Sequence, residues 1–328
     1  MSNNAIDFTV VIPTYNGETR VGAVLACLRN QINLESIQWE AIVVDNNSSD
    51  RTESVVRQQQ ANWPSSSRLR YEFEPQQGAG FARHCGAKIA SGPLIGYLDD
   101  DNLPYKDWIY EACKFATQHP QAGAFGSRIY GKFSQPPPAN FDRISAFLAL
   151  TDRGSDPILY RPEAKILPPG AGLVVRRQAW LDNVLDKRVL SEKFGEREAG
   201  EDLEVVLRIQ NAGWQVWYNP HMQLHHDIPP FRLTKDYLVR LFKGIGLSRY
   251  HTRMLSFSGY QRPFVLLPYM LNDVRKILLH IARYRQKVIT DTVAASEMTL
   301  YLASLASPFY SWYRMGKRQI LKAIAKKA

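Results

Sequence analysis

The sequence predicts an α/β fold: a mostly parallel sheet with helices on both faces, followed by a helical, basic, aromatic-rich extension. Three observations predict it. Short apolar runs rich in Val, Ile and Phe, at Phe8–Ile12, Trp39–Val44, Leu69–Phe73 and Leu94–Leu98, recur roughly every thirty residues, with helically spaced segments between them. The last run stops at three consecutive aspartates, Asp99, Asp100 and Asp101, in "LIGYLDDDNLPYKDW". The charge balance then changes along the chain. Residues 1–228 hold 23 Lys/Arg against 27 Asp/Glu, whereas residues 229–328 hold 18 against 4.

The elements follow in order. The first helix is expected over Val21–Asn30, and the second after "NNSSDRTES", where Asp50 and Glu53 have the spacing of a capping box ahead of Val55 and Val56. The third is "GAGFARHCGAKIAS", opened by Gly78 and Gly80. Strands alternating with helices favour parallel pairing, and such sheets take ligands at the carboxyl ends of their strands, where the three aspartates lie. From about Phe133 to Pro169 the alternation fails: "SQPPPAN" and "YRPEAKILPPGAG" read as loops around a short helix near Ile144–Leu150. Periodicity returns with "GLVVRRQAW", a helix from Glu201 to Asn211 ended by Gly213, and a strand at Gln215–Tyr218. Beyond Pro230 the pattern is helical to the end. The expected domains are residues 1–234, in two halves (1–130 and 131–234), and a helical extension over 235–328.

Composition excludes some classes. With 45% hydrophobic residues the 328-residue chain can build a core, so disorder is not its default state. Cys27, Cys85 and Cys113 form no CxxC pair and sit in apolar or helix-like segments, the pattern of buried thiols in a reducing compartment; neither a disulfide nor a structural zinc is expected. "MSNNAIDFTVVIP" has no basic region followed by a long apolar run, so a cytoplasmic start is expected. In the tail, Met298–Tyr313 is free of charge but short of the ~20 residues a spanning helix needs, and Pro308 interrupts it. Flanking aromatics and Lys/Arg fit helices lying in an anionic membrane interface. The alternative is packing on the catalytic domain or on a second subunit. Nucleic acid is not expected, because the aromatics sit in long apolar runs and no nucleic-acid motif appears.

Three adjacent like charges repel, and a folded chain tolerates them in solvent or around a cation. Hard oxygen ligands suit Mg²⁺ or Mn²⁺. Asp45 ends the second run, where a carboxylate can accept a base N–H such as uracil N3, and Pro13, Thr14 and Tyr15 close the first run beside it. The alternative for Asp45 is an Asx turn opening "DNNSSD". Gly170 and Gly172 in "PPGAGLVV" stand where backbone can approach a ligand closely, or where a plain Gly-Pro turn is made.

Together "VVIPTYNG", "IVVDNNSSDRT", "GAGFARHCGAKIASG", "LDDDN" and "GEDLEVVLRIQNAGWQVWYNP" resemble the inverting family 2 glycosyltransferases of GT-A fold, of the polysaccharide-biosynthesis type. The resemblance spans about residues 6–234, rests on five motifs in order, and implies a catalytic domain over 1–234 with a nucleotide-binding half (1–130) and an acceptor-side half (131–234). It implies that the aspartate cluster is the family's D-x-D motif, with Asp101 and Asp99 as metal residues and Asp99 and Asp100 on the donor. It places Arg83 in the family's "ARN" slot, facing base or phosphate, although His84 here stands where asparagine is common. In "GED", it makes Asp202 the general base and gives Glu201 a supporting catalytic role in acceptor binding. "LHHDIPPFRLT" resembles an H-x-I-P-type element, which points to His226 as a metal or phosphate contact and leaves the choice between His225 and His226 at the metal open. The Q-x-x-R-W element of processive synthases is missing.

The expected function is metal-dependent, inverting transfer of a single sugar, of hexosyl type. The donor is a nucleotide-diphosphate sugar, with UDP-sugars favoured, and the acceptor a glycan or lipid-linked molecule in cell-surface or extracellular polysaccharide biosynthesis. The work would be done peripherally at the inner face of the plasma membrane. Two alternatives stand beside it: a non-catalytic nucleotide-sugar-binding scaffold, and a sugar-phosphate nucleotidyltransferase, for which "VVIPTYNGETR" lacks the usual Gly-rich, basic fingerprint.

Overall fold

The computed structural model describes residues 5–162, 166–184 and 201–325; at Glu201, Met315 and residues 317–325 it describes the backbone only. It divides into two units. The first holds the nine strands found among the described residues, and the second comprises residues 135–147 together with the chain from Pro229 onward.

In the first unit, β1 (Phe8–Thr14), β2 (Trp39–Asp45), β3 (Arg68–Phe73) and β4 (Leu94–Tyr97) form where the apolar runs predict them. Helices α1 (Val21–Arg29), α2 (Thr52–Ala61) and α3 (Ala79–Ile89) connect them. β1 pairs in parallel with both β2 and β4, and β2 with β3. The strand order therefore reverses beside β1, the place where an open α/β sheet leaves a crevice at its carboxyl edge. The expected α/β class holds, but the sheet is mixed rather than mostly parallel. β5 (Asn102–Pro104), β7 (Ile158–Leu159) and β8 (Leu173–Arg176) run antiparallel to their partners.

β6 (Ala122–Phe133) was not expected, and β9 (Gln215–Ile228) runs ten residues beyond the expected Tyr218. These two pair in parallel with a shift in register between Ser127 and Arg128. The capping box ahead of α2 does not form. Asp50 accepts from the Thr52 N–H and from Glu18 N–H, bracing the turn against the loop after β1, while Glu53 pairs with Arg57. The core lies on both faces of the sheet. One face packs Phe8, Ile12, Leu25 and Trp108; the other packs Ile42, Tyr97, Trp180 and Tyr218. α4 (Trp108–Gln118), α5 (Arg177–Asn183) and α6 (Glu201–Asn211) complete the unit. After α6 the chain turns at Gly213, whose φ of 92° only glycine adopts freely.

The expected short helix near Ile144–Leu150 is two 3₁₀ turns, Phe141–Arg143 and Ser145–Leu148. The second unit is built on α7 (Lys235–Met254), α8 (Arg262–Tyr284), α9 (Lys287–Thr290) and α10 (Thr292–Ala325). The Thr234 hydroxyl caps α7 by accepting from Tyr237 N–H. Small residues let α7 and α10 approach closely: a Cβ added at Gly246 would lie 2.5 Å from Ala303 Cβ. Asp273 is fully buried and accepts from both Arg253 terminal nitrogens, at 2.6 and 2.8 Å.

Candidate functional site

Parallel pairing sets Thr14 and Asp45 side by side, as the last register partners of β1 and β2. Both are buried, while Tyr15, one residue on, is 44% exposed above them. Pro13 is buried in the strand opposite Val44. The Asp45 carboxylate accepts from Tyr71 Oη at 2.8 Å and from Ser48 N–H at 2.9 Å, so the Asx-type turn forms and the carboxylate still ends the strand at the crevice. Burial first, then the bond to Asp45, pushes the Tyr71 hydroxyl well above its ordinary pKa, which keeps it a donor.

The three aspartates diverge. Asp100 turns back into the protein and accepts from Thr14 Oγ1 at 2.6 Å and from Arg20 Nε and Nη2, both at 2.9 Å. Gly17 makes room for this knot, since a Cβ there would lie 2.0 Å from Thr14 Oγ1. Asp99 accepts from Arg83 Nη2 at 2.8 Å. Burial raises the Asp99 carboxyl above its ordinary value; Arg83 opposes the effect and Asp101 reinforces it. Asn102, fully buried, ties the turn: its Oδ1 accepts from Asp99 N–H and its Nδ2 donates to Asp101 Oδ1.

Asn102 is also the register partner of His226 in the β5–β9 pair, which brings the imidazole to Asp101. His226 Nε2 lies 3.5 Å from Asp101 Oδ1, and both residues are buried. Its Nδ1 meets the Leu148 carbonyl at 2.9 Å; a carbonyl only accepts, so Nδ1 carries a proton there. An imidazole anchored through one nitrogen on a backbone carbonyl, with the other turned to a carboxylate, is the arrangement of a metal-ligating histidine. This N/O donor pair fits a divalent cation such as Mn²⁺. No group of three or more His, Cys, Asp or Glu side chains gathers around one point among the described residues, so a diphosphate would have to supply other ligands. His225 faces elsewhere, 3.1 Å from Tyr105 Oη and stacked obliquely near Tyr130.

The remaining candidates meet around Gly170. Its N–H donates to Asp202 Oδ2 at 2.7 Å, and Leu203 N–H donates to Asp202 Oδ1 at 2.9 Å. A Cβ at Gly170 would lie 2.8 Å from Asp202 Cβ and 3.3 Å from Arg83 Nη2. Arg83, bound to Asp99, thus comes near the Gly170 backbone that holds Asp202. Glu201 opens α6, and its side chain lies outside the described residues, as does Gly200. Gly172, with φ of 63°, faces the core instead: a Cβ there would lie 2.4 Å from Leu224 Cδ2, and its carbonyl accepts from Ser127. His84 is buried, and its Nδ1 accepts from Trp180 Nε1, a structural use of that slot.

Sequence reasoning missed Arg20, Gly17 and Asn102. Only the "DDDN" adjacency of Asn102 offered a signal.

Residues 9–167 match the family described as Glycosyl transferase family 2. Glycosyltransferase AglE of Haloferax volcanii is 34% identical over 101 residues, 31% of this chain and 32% of that protein. Validoxylamine A glucosyltransferase of Streptomyces hygroscopicus subsp. limoneus is 36% identical over 93 residues, covering 28% of this chain and 19% of that protein. The matched stretch thus spans a third or less of these curated relatives. Two solved structures share the fold over most of both chains. S. aureus TarS 1-349 in complex with UDP-GlcNAc has a TM-score of 0.54 at 14% identity, covering 95% of this chain and 92% of that one. Mannosyltransferase PcManGT from Pyrobaculum calidifontis, in complex with GDP-Man and Mn²⁺, has a TM-score of 0.58 at 16% identity, covering 92% and 86%. Residues 9–167 thus carry a family 2 glycosyl transferase domain, and the chain has the GT-A fold with a C-terminal helical extension.

Proposed function

We propose that the chain is a metal-dependent, inverting glycosyltransferase. It moves a single sugar from a nucleotide-sugar donor, a UDP-sugar first, to a glycan or lipid-linked acceptor in cell-surface or extracellular polysaccharide biosynthesis, at an anionic membrane surface on the cytoplasmic side. One observation carries the reading: Gly170 holds Asp202 at the start of α6 through its N–H, and a Cβ on Gly170 would also meet Arg83, which binds Asp99 at the acidic strand end. Donor-binding groups and a carboxylate placed to take a proton thereby share one crevice.

In this reading Asp45, Thr14 and Tyr15 receive the nucleoside, and Arg83 with Asp99 orients the donor. Asp101 and His226 would hold a divalent cation, which supplies Lewis-acid stabilisation of the departing diphosphate. Asp202 accepts the acceptor hydroxyl proton as that oxygen bonds to the anomeric carbon and the bond from that carbon to the diphosphate oxygen breaks. The products are the inverted glycoside and a nucleoside diphosphate, with the proton on Asp202. The Gly170 and Leu203 N–H groups fix the carboxylate's orientation.

The test is release of nucleoside diphosphate from a panel of UDP- and GDP-sugars, with Mn²⁺ and a membrane-extract acceptor. Release that requires acceptor supports transfer. Donor binding without release would make the chain a scaffold; formation of a nucleotide-sugar from sugar phosphate and nucleoside triphosphate would make it a nucleotidyltransferase.

A further inference from the structure

Helix α8 wears its apolar residues on the outside. Phe264, Leu267, Leu271, Val274, Leu278 and Ile281 are exposed, from 38% at Val274 to 79% at Phe264. They recur at alternating spacings of three and four, so they line one side of the helix. Leu279 widens this stripe, and Tyr260 extends it past the helix start. The opposite side is held by the helical unit itself. There Asp273 is buried on Arg253, and His280 Nε2 meets the Ala294 carbonyl at 2.9 Å. The outward apolar face is therefore fixed by the polar anchoring of the inward one.

Charge selects the occupant. Helix α8, the turn after it and the first residue of α9 carry Arg262, Arg275, Lys276, Arg283, Arg285 and Lys287, and the one acid among these residues is the buried Asp273. Of the other acids in residues 229–328, Glu297 meets Arg143 and Asp291 accepts from Ala294 N–H, which leaves Asp236 in the first turn of α7. A second copy docked on this stripe would set cations against cations, with no glutamates at the seam to pair them. No helix among the described residues is long and apolar enough to cross a membrane. A wide apolar face beside a large excess of Lys/Arg suits a helix lying in the plane of an anionic lipid surface.

We propose that α8 is the membrane-contact element of this protein, with Phe264, Leu267, Leu271 and Leu278 in the acyl boundary and the arginines at lipid phosphates. The inference deepens the membrane location in the proposed function, on which it rests. It is separable from sugar transfer, because vesicle binding needs neither donor nor acceptor.

The test is sedimentation of the full chain with vesicles of phosphatidylglycerol plus phosphatidylcholine, or of phosphatidylcholine alone, at low and high salt. Each protein also has its fold checked by circular dichroism and its nucleotide-diphosphate binding measured. The variant is Leu267→Glu with Leu271→Glu and Leu278→Glu, all at exposed positions. The wild type should bind the anionic vesicles about tenfold or more tightly than the neutral ones, and high salt should weaken it; the folded variant should lose about a hundredfold. Equal binding to both vesicles, or a folded variant that binds as the wild type does, overturns the proposal. A wild-type dimer that the variant converts to monomer, without vesicle binding, assigns the face to a second copy and equally overturns it. Intact nucleotide binding with no vesicle binding would fail this inference and leave the transferase reading standing.

Discussion

His226 presents Nε2 to Asp101 Oδ1 at 3.5 Å while its Nδ1 is tied to the Leu148 carbonyl at 2.9 Å. A carboxylate and an imidazole lone pair held this close repel unless a proton or a cation lies between them, and the β5–β9 register fixes both. The expected result, by calorimetry, is UDP affinity at least about tenfold higher with Mn²⁺ than with EDTA. His226→Ala should remove most of that difference while leaving the metal-free affinity unchanged. Equal affinity with and without Mn²⁺ in the wild type removes Asp101 and His226 from their assigned role.

Gly170 has no room for a side chain: a Cβ would lie 2.8 Å from Asp202 Cβ. Gly170→Ala should displace Asp202 by a fraction of an ångström to about an ångström, and kcat should fall by about 10²-fold. Donor affinity should move much less. An Ala variant with normal kcat would show that Gly170 does not set the position of Asp202.

Arg20 holds the buried Asp100 through two nitrogens, and its own side chain is 39% exposed. The Asp100 bond also raises the Arg20 pKa, so the guanidinium stays charged throughout the ordinary range. Arg20→Ala leaves a largely buried carboxylate with Thr14 alone, and should cost about 2 kcal/mol after solvent screening. Calorimetric Tm should then fall by roughly 4–8 °C. Lysine should restore only part of this, because it cannot make the paired contact. An unchanged Tm in Arg20→Ala would make the pair a spectator.

Burial pushes the Cys85 thiol up to about 11 and Cys113 up to about 12, and raises Cys27 in the same direction. At pH 8 the thiolate fraction of Cys85 is then about 10⁻³, so iodoacetamide should label the native protein far more slowly than the unfolded chain. Because the folded values are raised, the associated stability is complete below the ordinary value of 9.0 and is lost as pH rises toward 11–12. Melting measured from pH 8 to pH 11 should therefore show a falling Tm. Rapid labelling of the native protein at pH 8, read by mass spectrometry, would contradict this account of the thiols.

β1, β2 and β4 were legible because each is a nearly unbroken apolar run, the signature of a strand buried on both faces, whereas β3, at the sheet edge, alternates charged and apolar residues and buries only Leu69. β6 was not. "AGAFGSRIYGKF" carries three glycines and two cations, and reads as loop until its neighbours are known. Gly123 and Gly126 are small there because Trp214 and Pro168 occupy the space a Cβ would need, a constraint set 42 or more residues away. The site divides in the same manner. Asp45 and the three aspartates announced themselves by ending apolar runs. Which aspartate does what was illegible, since Arg20 lies 80 residues from Asp100 and Arg83 lies 16 from Asp99. The Asp50–Glu53 spacing fitted a capping box, but Asp50 was claimed by the loop after β1 through Glu18 N–H.

In the proposed reaction Asp202 takes the acceptor proton, and Asp202→Asn separates that role from donor binding. Asparagine keeps the shape and can still accept from Gly170 N–H, but it cannot take up a proton at neutral pH. With the donor and acceptor identified by diphosphate release, the account predicts that kcat falls by about 10²–10⁴-fold, while UDP affinity with Mn²⁺ stays within about twofold of wild type. Near-normal kcat in a correctly folded Asp202→Asn protein would contradict it, and would place the base elsewhere, with Glu201 the next residue to test.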